Sequence, residues 1–348
     1  MSARQSREAA AAAFRAAAAT RILVKDGAFG TAIQGAGLTE ACYRGDLALN
    51  HDQKGNNDLL NLTQPKLVRA IAQGYADAGA EVLGTNSFNA NRISQTDYGA
   101  ESLVRDINVA AARIVRGVAD EAADKDGRQR FVAGALGPTN KTLSLSPDVN
   151  DPAYREVDFD HVREVYREQV EALLEGGADF ILIETVFDTL NAKAAIHAAL
   201  GLAPIMISMT LTDLSGRNLS GHTVEAFWAS VRHARPLTIG LNCSFGAAQL
   251  RPHLAALSRM ADTLVMAYPN AGLPNELGAY DEAAEETAGQ VAEWLKDGLV
   301  NVVGGCCGTT PAHIAAIANT VSGGAPRNVP QAPGRTMLAG LEPMVLAA

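Results

Sequence analysis

Eight short apolar runs, with helix-patterned segments between them, leave this chain few folds to adopt. They are Ile22–Lys25, Glu81–Gly84, Phe131–Ala135, Phe180–Ile183, Pro204–Met209, Leu237–Leu241, Thr263–Ala267 and Val300–Val303. Each is too short for a helix and reads as a strand buried on both faces, the habit of parallel sheets. The clearest intervening segment sets Val162, Val165, Tyr166, Val170, Leu173 and Leu174 on one helical face. Three helix-to-strand joins share one signature: Ala78-Gly79-Ala80-Glu81, Gly176-Gly177-Ala178-Asp179 and Asp297-Gly298-Leu299. In each, a glycine is placed to end a helix in the left-handed conformation just before a strand. Eight such units close an α/β chain into a (β/α)8 TIM barrel, a closed parallel eight-stranded sheet. An open doubly wound sheet would want a G-x-G-x-x-G turn after an early strand, and Asp26-Gly27-Ala28-Phe29-Gly30-Thr31 lacks that spacing.

The 348 residues suit one such barrel at residues 21–321, with an Ala-rich extension at 1–20 and a Pro/Gly-containing linker or cap at 322–348. The extension carries Arg4, Arg7 and Arg15 and reads as a helix in preference to a cleaved transit peptide. With 47% hydrophobic and 19% charged residues the chain reads as soluble, and no run of 18 apolar residues spans a membrane. A net charge of −9 argues against nucleic acid and anionic lipid as partners. Four cysteines form no disulfide framework, so a reducing, cytoplasmic compartment is expected.

Barrel enzymes work in the loops after the strands, and here the long ones are Gln34–Thr63, Thr139–Asp160 and Tyr268–Glu286. The eighth run ends in Gly304-Gly305-Cys306-Cys307-Gly308, after which Thr310 is placed to cap a helix and Pro311 to begin it. The sixth run ends in Asn242-Cys243. Strands six and eight of a barrel are near neighbours, so Cys243, Cys306 and Cys307 can converge. Three thiolates without histidine suit Zn2+ and leave a fourth position open, as in catalytic sites. Buried apolar cysteines or a strained vicinal disulfide are the other readings at this stage. Cys42, in the first long loop, stands apart. Three thiolates give the metal an electron-rich ligand set, better at keeping an incoming thiol deprotonated and nucleophilic than at making hydroxide. Thiol alkylation follows from that composition; amide or ester hydrolysis does not.

Other strand ends are polar. Asp26 and Glu184 suit an ammonium group, while the glycines after Asp26, Gly27 and Gly30, free backbone amides for a carboxylate or phosphate. Ser87, Asn140 and Asn242 add hydroxyl and amide groups. The outline is that of an amino-acid thiol.

The segments DGAFGT (26–31), GTNSFNAN (84–91), GALGPTN (134–140), ILIETVFDTLNAKAA (181–195), GLNCSFG (240–246), YPNAGLPN (268–275) and VGGCCGTTPAHI (303–314) resemble the homocysteine-binding module of cobalamin-dependent methionine synthase. The resemblance runs from about residue 20 to 345, and SPDVNDP (146–152) points to its cobalamin-dependent branch. It implies that Cys243, Cys306 and Cys307 bind Zn2+ and that the sulfur of L-homocysteine takes the open position. It implies further that Asp26 and Glu184 contact the substrate's amino group and that backbone around Gly27, Ala28 and Ser87 holds its carboxylate. Asn270 would serve as an oxygen ligand when substrate is absent. The stretch Leu338–Pro343 resembles the join to a folate module, so the chain is expected to be a separate subunit or a fragment. The methyl group would come from methylcobalamin, in solution or on a partner subunit that binds cobalamin and folate. Betaine or S-methylmethionine as donor, or a non-catalytic homocysteine-binding subunit, are the alternatives.

Overall fold

The computed structural model describes residues 3–332 and 334–346. The eight runs form β1 (Leu23–Val24), β2 (Val82–Gly84), β3 (Phe131–Leu136), β4 (Phe180–Val186), β5 (Ile205–Met209), β6 (Thr238–Asn242), β7 (Leu264–Tyr268) and β8 (Val302–Val303). All pair in parallel in the order β1-β8-β7-β6-β5-β4-β3-β2. A bridge between Lys25 and Val82, with Glu81 N–H donating to Val24 O at 2.7 Å and Asp26 N–H to Val82 O at 3.0 Å, joins the two ends. The sheet is therefore a (β/α)8 barrel.

Alternation along each strand divides the core in two. Val24, Leu83, Val132, Ile181, Ile207, Ile239, Val265 and Val303 face the surrounding helices. Leu23, Val82, Phe131, Phe180, Met206, Met266 and Val302 form a separate interior cluster. Both sets are buried, which is why the strands read as unbroken apolar runs. Gly79 and Gly177, at φ 104° and 106°, end their helices in the region glycine favours.

The Ala-rich segment expected as an extension is a helix, Ala3–Ala18, and it closes the lower mouth of the barrel. Phe14 is fully buried and meets Phe131 and Phe180, the first residues of β3 and β4, edge-on at 5.2 and 5.4 Å. Ala10, Ala11 and Ala18 pack in the same cluster, where alanine lets a helix approach the strands closely. The tail also packs in part: buried Arg327 donates to Ser258 Oγ at 2.8 Å and Thr263 O at 2.9 Å. Beyond it, Met337–Ala339 and Pro343–Val345 form an antiparallel hairpin. Residues 333, 347 and 348 of the expected cap lie outside the described residues. Among those described, no helix is long and apolar enough to cross a membrane.

Candidate active site

The floor at the strand starts leaves the strand ends as the open mouth, and there the three cysteines meet. β6 ends in a sharp turn: Cys243 and Ser244 take φ 61° and 63°, a region that costs a non-glycine residue about 1–2 kcal/mol. The turn is held by Cys243 N–H to Tyr268 O at 3.2 Å, Phe245 N–H to Cys243 O at 2.7 Å and Asn270 N–H to Phe245 O at 3.0 Å. After β8, Gly304 lets the backbone pass so close to β1 that a Cβ there would lie 2.7 Å from Lys25 O. Cys306 N–H then donates to Pro269 O at 2.7 Å, and Cys307 O accepts Ala271 N–H at 2.9 Å. The helix Pro311–Val321 follows, with Pro311 in its first turn and a capping box between Thr310 and His313.

The sulfurs of Cys243, Cys306 and Cys307 lie within 4.8 Å of one another. Cys243 Sγ and Cys307 Sγ are 3.7 Å apart, close to the ~3.8 Å between two sulfurs placed tetrahedrally on Zn2+ at about 2.3 Å. All four cysteines are free thiols, which sets aside the vicinal disulfide, and Cys42 bonds instead with Thr39 Oγ1 at 3.3 Å. Hydrogen bonds from Cys243 and Cys306 pull the Cys307 thiol down to about 3. The same contacts, to Cys243 and Cys307, with burial added, push Cys306 well above the thiol range. The set thus carries one negative charge readily and needs a cation to carry three. Asn270, between the two cysteine turns, has its Oδ1 buried without a hydrogen-bond partner among the described residues, an acceptor suited to a cation. Sulfur spacing, charge demand and orphaned oxygen all fit a divalent metal.

Beside the sulfurs opens a cavity of about 470 Å3, lined among others by Asp26, Gly27, Ala28, Ser87 and Glu184. The first long loop contributes Asn57 and Asp58 and the last contributes Gly278 and Tyr280. The middle loop lines none of it. Its Leu143 and Ser144 amides donate to Asn191 Oδ1 and Asp188 Oδ2, both at 2.9 Å, and Asn140 Nδ2 reaches outward to Asp97 Oδ2 at 3.0 Å.

Asp26 accepts from Lys25 Nζ at 2.7 Å and from Gly84 N–H at 2.6 Å, so both its oxygens are engaged. Glu184 accepts from the Tyr268 hydroxyl at 3.0 Å, and burial pushes its carboxyl above the ordinary range. A register shift between Ile183 and Val186 turns Glu184 inward, and the next residue, Thr185, stands at φ 57°. The amides of Gly27 and Ala28 make no hydrogen bond among the described residues. Ser87 spends its N–H on Thr85 O at 3.0 Å and its hydroxyl on Ala135 O at 2.8 Å.

Asn242 does not line the cavity. Its Oδ1 accepts from Thr185 N–H at 3.0 Å and Ser208 Oγ at 2.5 Å, while its Nδ2 donates to Thr185 Oγ1 at 2.9 Å and Cys306 Sγ at 3.8 Å. It binds strand ends together. Lys25 carries the sole cationic side chain of the cavity lining, and the sequence reading does not single it out. Burial works against its ammonium, but Asp26 and then Glu184 outweigh that and raise its pKa.

A model of the family described as homocysteine S-methyltransferase matches residues 23–321. Among solved structures, the homocysteine methyltransferase MmuM of Escherichia coli is similar in its oxidised form, with TM-score 0.69 and 22% identity over 86% of this chain and 95% of that one. Its metallated form gives 0.68 and 22% over 86% and 96%. At that identity the likeness speaks for the fold.

Proposed function

This chain belongs to the homocysteine S-methyltransferase family, and from that premise we propose that it transfers a methyl group from methylcobalamin to L-homocysteine, yielding methionine. The observation that carries the reading is the meeting of Cys243, Cys306 and Cys307 at the mouth of the barrel, beside a cavity of about 470 Å3 that has room for an amino-acid thiol and more. These three residues would hold Zn2+, which when bound would supply the acidity that deprotonates a substrate thiol while leaving its sulfur nucleophilic. Asn270 would offer Oδ1 to the metal when no thiol is present.

The chain's own part is placement. Glu184 takes the substrate's ammonium, and the free amides of Gly27 and Ala28 take its carboxylate. Asp26 shapes that pocket through Lys25 and Gly84, and Ser87 shapes it through its bonds to Thr85 and Ala135. Asn242 is a positioning residue that orients Cys306 and Thr185. So held, the sulfur attacks the methyl carbon in line; the new S–C bond forms as the donor departs with the old bonding pair. Fixing both amino-acid groups turns the encounter into an oriented attack, the principal rate gain open to such a site. The open rim, with Val149 and Leu277 each 93% exposed on its loops, suits a donor as large as a corrinoid carried by a partner subunit.

The test pairs zinc stoichiometry, with and without chelator, with turnover on separate donors. One zinc per chain and methylation from free methylcobalamin are expected. Turnover with methyltetrahydrofolate alone, or with betaine or S-methylmethionine in place of methylcobalamin, would overturn the assignment of donor. A chain that stays metal-free after reconstitution would overturn the site.

A further inference from the structure

A lysine buried inside a site that must receive a substrate's own ammonium group needs a reason. The Lys25 side chain is 7% exposed, and its Nζ lies 2.7 Å from Asp26 Oδ1 and 4.6 Å over the Tyr268 ring. The other Asp26 oxygen takes the Gly84 N–H at 2.6 Å. Asp26 therefore meets the cavity with its charge matched and both oxygens in use. Glu184 differs. Its Oε2 is bonded by the uncharged Tyr268 hydroxyl, and its Oε1 makes no hydrogen bond among the described residues.

We propose that Lys25 is a specificity-determining residue: of the two carboxylates beside it, it neutralises Asp26 and leaves Glu184 uncompensated for the α-ammonium of an amino-acid thiol. The proposal rests on the substrate reading given above and assigns the parts within it. Of the three carboxylates in the lining, Asp58 sits on the first long loop with the Asn89 N–H on its Oδ1 at 3.1 Å, while Asp26 and Glu184 are the two that act on Lys25. Those two and the one ammonium leave one negative charge, which one substrate ammonium matches. Glu184→Gln removes that charge and leaves only the neutral Lys25–Asp26 pair beside the substrate's ammonium, with no net attraction for it. Adding Lys25→Met releases Asp26 and restores the single negative charge. The second substitution should thus repair the first. A lysine that served packing alone would give two losses that add.

The experiment measures, by calorimetry on the zinc-loaded full chain, dissociation constants for L-homocysteine and 4-mercaptobutyrate. The second ligand has the same thiol and carboxylate and lacks the ammonium, so the contribution of the metal cancels. Wild type should prefer homocysteine by about tenfold or more, the scale of one charge-assisted hydrogen bond. Glu184→Gln should lose that preference, and Lys25→Met/Glu184→Gln should recover it to within about threefold. The idea fails if Glu184→Gln keeps the preference, or if the double variant binds homocysteine no better than Glu184→Gln. Should the methionine variant not fold, judged by zinc content and circular dichroism, Lys25→Gln removes the charge and keeps a polar tail. A wild type that binds neither thiol would instead refute the underlying substrate reading.

Discussion

Asn242→Ala separates a positioning role from a substrate contact. The side chain makes four hydrogen bonds, to Thr185 N–H at 3.0 Å, Thr185 Oγ1 at 2.9 Å, Ser208 Oγ at 2.5 Å and Cys306 Sγ at 3.8 Å. Asn242 is 1% exposed, so water cannot replace these partners freely. A typical bond contributes about 1 kcal/mol, and a buried N–H left alone costs about 1–3 kcal/mol. With the sulfur contact the weakest of the four, a loss of about 3 kcal/mol of stability is expected. Two of the bonds hold Thr185 at φ 57°, a conformation costly for a β-branched residue, and Glu184 depends on that turn for its aim. The fourth orients Cys306. Partners of metal ligands typically hold about 10–100-fold of metal affinity, so zinc binding should weaken by that factor. Competition against a chromophoric chelator reads the zinc constant, and urea unfolding reads stability. If zinc affinity stays at the wild-type value while only homocysteine affinity falls, Asn242 is a substrate contact and the reasoning is wrong.

Three further outcomes are expected. Cys306→Ala should abolish tight zinc binding and turnover together, whereas Cys42→Ser should leave both intact; atomic absorption with a turnover assay decides it. Phe14→Ala empties a fully buried site among Phe131 and Phe180 and should cost about 3–5 kcal/mol in chemical denaturation, with zinc stoichiometry unchanged. Asp58→Asn concerns pH. Burial pushes the Asp58 carboxyl from 3.8 up to about 7, and it forms no ion pair among the described residues. A raised carboxyl pKa means that the unfolded chain ionises first, so the wild type loses stability as pH climbs from about 4 to about 7 and the deficit is constant above. Asparagine keeps an acceptor for Asn89 N–H, bonded at 3.1 Å, and should raise the melting temperature at pH 8 but not at pH 4. An equal shift at both pH values would refute the burial argument.

The barrel was legible because its strands are buried on both faces. A run such as Phe180–Ile183 satisfies the interior through Phe180 and Leu182 and the helices through Ile181 and Ile183, so every position is apolar and the run stands out. Cys306-Cys307 and Cys243 were legible for another reason: a closed barrel brings the ends of β6 and β8 together, and few roles suit three thiols placed there. The helix Ala3–Ala18 was harder. Its alanines fit an exposed extension as well as a close-packed one, and only Phe14 signals burial, through partners that begin strands far along the chain. Lys25 was hidden by its position. A lysine ending an apolar run reads as a chain reaching for water, and nothing local shows that Glu184 and the Tyr268 ring wait inside.

Asn242 and Cys243 are neighbours, and the contrast between them has a physical basis. A thiol has few good uses at a barrel mouth, so its type restricts its role. An amide has two donors and two acceptor sites and serves equally against substrate, metal or backbone. Which of these holds depends on how many of its polar valences the adjoining strand ends can fill. Around Asn242 they are filled by Thr185 from β4, Ser208 from β5 and Cys306 after β8. A ligand would have to break one of those bonds to reach it. Asn270 is the reverse case: its backbone N–H is held by Phe245 O at 3.0 Å while Oδ1 is buried and unpaired among the described residues. Two asparagines at consecutive strand ends, alike in sequence, thus differ in what they have left to offer: one spends its amide binding the walls together, and the other keeps an oxygen that the proposed zinc site would use.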